Sequence, residues 1–132
     1  MSTVFGLFDK YVGPAMRRAL AVELYNRGFK IGEIAEILGV SRSLVSRYLN
    51  GSRGSRAGDI PEDVFNSVKS IADEIEGTSI GPYDVEYRLW QETLKLASEK
   101  KFCRLHARVN KRIKPELCQV CVRLFLPSAT KV

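Results

Sequence analysis

The chain has 132 residues, enough for one domain or a domain with an appendage, and a 45% hydrophobic content suffices to pack a core. Its net charge of +6 and pI near 9.4 favour an anionic partner. No run approaches the roughly eighteen apolar residues of a membrane span, which predicts a soluble, cytoplasmic protein with no membrane partner.

The charge is unevenly placed. Residues 1–58 hold nine Lys/Arg against four Asp/Glu, residues 59–100 four against ten, and residues 101–132 eight against one. Two basic ends flank an acidic middle that phosphate would repel, so the middle is expected to face away from a nucleic acid or toward a partner. Runs of charge on ordinary solvated faces are the plainer account.

At the start, Val4, Phe5, Leu7, Phe8, Tyr11 and Val12 are too apolar for a free tail. Asp9 and Lys10 interrupt them and no basic segment precedes them, so they predict a docked segment and not a signal peptide. Gly13 and Pro14 open a helix from Ala15 to Arg27, which Gly28 closes. Its apolar residues Met16, Ala19, Leu20, Val22 and Leu24 spread beyond a single stripe, which predicts burial on more than one side.

Residues 31–50, IGEIAEILGVSRSLVSRYLN, carry the strongest signal. Two short helices that cross steeply need a small residue at their closest approach, a turn that accepts φ > 0, and apolar positions facing the next helix. Ala35 supplies the first, Gly39 the second, and Ile34, Leu38, Val40, Val45 and Tyr48 the third. Ser41 is placed to cap the second helix, whose N-terminus favours a nearby phosphate. Arg42, Ser43, Ser46, Arg47 and Asn50 fall on the outer face, where a recognition helix needs hydrogen-bonding groups to reach base edges in a major groove. An ordinary amphipathic hairpin explains the periodicity, but not the small residue, the glycine and the serine cap in register.

This segment resembles the helix-turn-helix of phage-repressor-like (XRE-type) regulators, and the longer run PAMRRALAVELYNRGFKIGEIAEILGVSRSLVSRYLNGSRG is similar to that of small archaeal transcriptional regulators. The resemblance covers about a third of the chain. It implies an all-helical DNA-binding domain, usually dimeric, that regulates transcription.

Beyond the motif, GSRGSRAG offers Arg53 and Arg56 as clamps on the phosphate backbone, or forms a plain linker. DIPE, residues 59–62, has capping-box spacing and introduces a helix with Val64, Val68, Ile71 and Ile75 at a three-to-four period, ending at Gly77. A further helix runs from Tyr83 to about Lys101. Tyr83, Tyr87 and Trp90 on it could pack into the core or meet across a dimer twofold.

All three cysteines and the only histidine lie near the end as Cys103, His106, Cys118 and Cys121, in the pattern C-x2-H-x11-C-x2-C. Two x2 pairs separated by about a dozen residues suit a closed, structural Zn2+ site. An iron–sulfur cluster is a second reading, which would make a redox sensor, and unliganded cysteines a third. Between the pairs, Arg108, Lys111, Arg112 and Lys114 make a basic loop that could touch phosphate or an acidic partner surface.

The sequence therefore predicts an all-α chain with three parts: a helix-turn-helix domain over 1–58, an acidic helical segment over 59–101 that could dimerise, and a basic Cys/His-rich segment over 102–132. The function expected is a sequence-specific regulator of transcription that binds double-stranded DNA as a homodimer. The rival is a metal-stapled adaptor that binds protein or RNA. No glycine-rich phosphate cradle follows a strand and the lone histidine sits in the cysteine cluster, so no enzyme is expected.

Overall fold

The structure is a computed structural model that describes residues 3–51, 60–77 and 80–126. Every regular element among them is helical, so the chain is all-α. In order they are α1 (Val4–Leu7), a π-helical turn (Phe8–Val12), α2 (Gly13–Asn26), α3 (Ile31–Leu38), α4 (Arg42–Leu49), α5 (Glu62–Gly77), α6 (Pro82–Ser98), α7 (Cys103–Val109) and α8 (Val120–Phe125).

The apolar start of the chain is docked, and it is helical. Gly13 and Pro14 do not open a new helix as the sequence predicts, because Leu7, Phe8, Val12 and Gly13 all keep right-handed helical angles and the chain coils without a break into α2. The π turn explains the glycine. Its extra residue brings the Phe8 carbonyl to 3.0 Å from the place a Gly13 Cβ would occupy, and the Gly13 N–H donates to that same oxygen. A side chain at this position would press on the Phe8 carbonyl, which would have to give by a few tenths of an ångström, so glycine serves close approach here rather than helix initiation.

The turn aims Phe8 inward, where its ring meets Phe5, Trp90, Phe102 and Phe125 at centroid separations of 6.5, 6.3, 6.5 and 5.6 Å. Those partners come from α1, α6, the turn before α7, and α8. One buried cluster runs from Leu7 through α2 to Leu105, with α5 and α6 contributing Val64, Val68, Ile71, Val85 and Leu89. The acidic helices thus share the core of the helix-turn-helix.

α2 is the central element and packs on α3, α4, α5 and α6. Its end is fixed to α5 by Arg27, whose guanidinium pairs with Glu23 at 2.8 Å, Asp73 at 2.8 Å and Glu76 at 2.6 Å. Hydrogen bonds to Asp73, Glu23 and Glu76 hold that guanidinium still more firmly protonated than usual. Arg88 pairs in the same way with Glu74 at 2.7 Å and Glu92 at 3.0 Å, joining α5 to α6. Lys101 meets Asp63 at 3.1 Å. Much of the acidic middle is therefore consumed in pairs within the fold and does not form a bare negative face.

α5 ends at Gly77 as its spacing predicts, and α6 ends at Ser98, three residues before the predicted Lys101. Pro82 begins α6, with the Gly81 N–H donating to Asp84 Oδ2 at 3.2 Å. The capping role expected of Asp59 lies outside the described residues. No described helix is long and apolar enough to cross a membrane.

Because Phe8 joins four elements, Phe8→Ala should cost about 3–5 kcal/mol of unfolding free energy, read by urea denaturation of the whole chain. A loss below about 1 kcal/mol would show that the aromatic cluster is not a structural hub.

Candidate nucleic-acid interface

The motif folds as its spacing demands. α3 starts with the Lys30 N–H donating to Glu33 Oε1 at 2.8 Å. It ends at Gly39, which adopts φ 68° and ψ 35°, a left-handed conformation that glycine enters without a Cβ penalty. Ser41 then caps α4, its Oγ accepting from the Leu44 N–H at 3.1 Å. Ile34, Ala35, Leu38, Val45 and Tyr48 are buried, and Val40 is half-buried.

α4 is only eight residues long, too short to hold its shape or direction alone. Two adjacent arginines of α2 supply the anchor. Arg17 Nε donates to the Tyr48 hydroxyl at 3.2 Å, and Arg18 Nε donates to the Tyr48 carbonyl at 3.1 Å. The second contact shares a carbonyl that already accepts from the Gly51 N–H at 3.1 Å, and it places a cation at the negative end of the helix. Sequence reasoning missed both arginines, because a neighbouring RR in a helix carries no sign of the residue thirty positions away that it will meet.

On the outer surface Arg42, Ser43, Arg47 and Asn50 are exposed and Ser46 is half-buried. Ser43, Ser46, Arg47 and Asn50 stand at helical spacings of three and four and share one face of α4. Arg42 belongs to a different part of the surface. Its guanidinium lies over the first turn of α3, with Nη2 3.0 Å from where a Gly32 Cβ would be. This places a cation at the junction of the two helices, beside the face the other four residues form. Arg53 and Arg56 lie outside the described residues.

The C-terminal constellation of Cys103, His106, Cys118 and Cys121 lies wholly within the described residues. Among the described residues, no group of three or more His, Cys, Asp or Glu is placed so that it could hold a metal. The three cysteines are free and half-buried, and His106 is buried in α7. Burial, with smaller contributions from Cys103 and Cys118, pushes the Cys121 thiol up to about 11. Burial also raises Cys103, Lys100 partly offsetting it. The Lys100 ammonium, donating to the Pro115 carbonyl at 2.5 Å, ties the stretch before Cys103 to the stretch before Cys118.

The candidate dimer aromatics divide. Trp90 is half-buried against Phe8, its Nε1 donating to Glu86 Oε2 at 2.9 Å, whereas Tyr83 is 91% and Tyr87 65% exposed. Core packing therefore accounts for Trp90 and for neither tyrosine.

A three-helix unit of α2, α3 and α4, with a left-handed glycine turn and a serine-capped outer helix, has the arrangement of a helix-turn-helix. Residues 15–58, about a third of the chain, match the family model described as Homeodomain-like domain. Neither a curated protein nor a solved structure matches the chain.

Ser41→Ala should lower unfolding free energy by about 1 kcal/mol, and Ser41→Asp should recover most of it, as read by urea denaturation. Equal stability of all three proteins would remove the cap from the account.

Proposed function

We propose that this protein is a sequence-specific regulator of transcription that reads double-stranded DNA with α4. The observation that carries the reading is the face formed by Ser43, Ser46, Arg47 and Asn50 on a helix anchored to α2. Short hydroxyl and amide groups beside one arginine are the groups that pair with base edges, and arginine reaches the O6 and N7 of guanine with two hydrogen bonds. Arg42 and the N-terminus of α4 suit phosphate and would set register without reading sequence. The resemblance of this segment to phage-repressor-like archaeal regulators supports the regulatory part of the reading.

The proposal includes a homodimer. A groove of about 360 Å³ with an almost wholly apolar lining lies between Phe5, Phe8, Trp90, Leu94 and Phe125. None of its residues comes from α3 or α4, so a partner seated there leaves both reading faces open. Asp9 lies on its rim, and Glu92 and Lys95 line the adjoining surface beside Tyr87. A second copy turned about a twofold axis can set acid against base there and cover the exposed Tyr87. Two reading helices related by that axis would match a palindromic site.

Selection of bound duplexes from a random pool should enrich one palindromic sequence. On that sequence Arg47→Ala should cost about 1–3 kcal/mol while affinity for random duplex stays nearly constant. No enrichment, or unchanged affinity of the variant for every duplex, would defeat the reading. Sedimentation of the free protein should show a dimer that Tyr87→Lys reduces to a folded monomer, and a monomeric parent would defeat the dimer alone.

A further inference from the structure

A second basic site lies apart from the helix-turn-helix. A pocket of about 430 Å³ is walled by Ile60, Pro61 and Pro115 and carries Lys100, Lys101 and Arg104. Cys103 contributes a half-buried thiol. Among the described residues, the one carboxylate paired there by a salt bridge is Asp63, 3.1 Å from the Lys101 ammonium. Three cations against one such carboxylate leave a positive excess in a concave site, where low-dielectric walls strengthen the field on an anion.

The backbone of Lys100 marks the site further. It is the one non-glycine residue with positive φ among those described, at 63°. The Lys100 N–H donates to the Ala97 carbonyl and the Lys101 N–H to the Leu96 carbonyl, both at 3.0 Å, the hydrogen-bond pair that closes a helix through a left-handed residue. Glycine is the least costly residue at that position, and lysine pays a Cβ penalty there. The lysine side chain is used: its Nζ donates to the Pro115 carbonyl at 2.5 Å, which holds the ammonium at the pocket wall with two further N–H groups.

We infer that this pocket binds a phosphate group, through the Lys100 and Lys101 ammoniums and the Arg104 guanidinium. A planar guanidinium beside two compact ammonium charges suits a tetrahedral oxyanion, which can accept from all three. The phosphate can belong to a small free ligand or to a DNA backbone. The inference stands apart from the reading assigned to α4, because the pocket takes no residue from α2, α3 or α4.

The test is titration of the full chain with inorganic phosphate and with pyrophosphate, at ionic strength held constant with chloride, followed by amide NMR shifts. Saturable shifts at residues 100–104 are expected, with affinity falling roughly tenfold in both Lys100→Gly and Arg104→Ala. Lys100→Gly should keep its Tm within about 2 °C of the parent, since relief of the left-handed backbone offsets the lost bond to Pro115. Arg104 is exposed, so its variant folds in any case. A random-sequence duplex that displaces the phosphate identifies a backbone site, and a duplex that binds alongside it identifies a free ligand. Absence of saturable shifts, or parental affinity in both variants, would overturn the inference.

Discussion

The attachment of Tyr48 to Arg17 and Arg18 is the constraint on which the reading face depends. An eight-residue helix has no independent stability; its buried Val45 and Tyr48 turn one side inward, and its place along α2 must still be fixed. The Arg17 bond to the Tyr48 hydroxyl and the Arg18 bond to its carbonyl fix it from one rigid helix. Ser43, Ser46, Arg47 and Asn50 then point outward as a consequence. α2 can serve as the reference because it is itself held at both ends: by the π turn that seats Phe8, and by Arg27 on the acids of α5.

Charge in this molecule is arranged by the fold as much as by the sequence. The acidic residues of the middle segment look, in the sequence, like a surface that DNA would repel. In the structure Asp73, Glu76, Glu74, Glu92 and Asp63 meet Arg27, Arg88 and Lys101. Exposed pairs of this kind add little stability singly, but here two arginines each bridge more than one helix and orient the packing. The positive excess that remains lies toward the two ends of the chain, beside α4 and around Lys100 to Arg104.

The helix-turn-helix was legible because its demands are local. Gly39 must be left-handed, Ser41 must reach a backbone N–H three residues on, and Ala35 must be small, and each requirement shows within twenty residues. The π turn was not legible, since Gly13–Pro14 has the same appearance whether it begins a helix or accommodates a carbonyl in one already running. The Arg17–Tyr48 and Arg27–Asp73 contacts join residues thirty-one and forty-six positions apart, and no periodicity reports such pairs. Cysteine spacing carries no ligand geometry, which depends on where α7 and α8 come to rest. The pocket at Lys100 arises from three stretches of chain and a single backbone angle, neither of which leaves a pattern in sequence.

The central claim is that α4 contacts base edges, and the most direct measurement is an amide NMR map of the isotope-labelled protein bound to its selected duplex. The account predicts that the largest shifts, with intermolecular contacts to bases, fall on Ser43, Ser46, Arg47 and Asn50. Shifts confined to Lys100–Arg104 or to the Phe5–Trp90–Phe125 groove, with α4 unmoved, would contradict it.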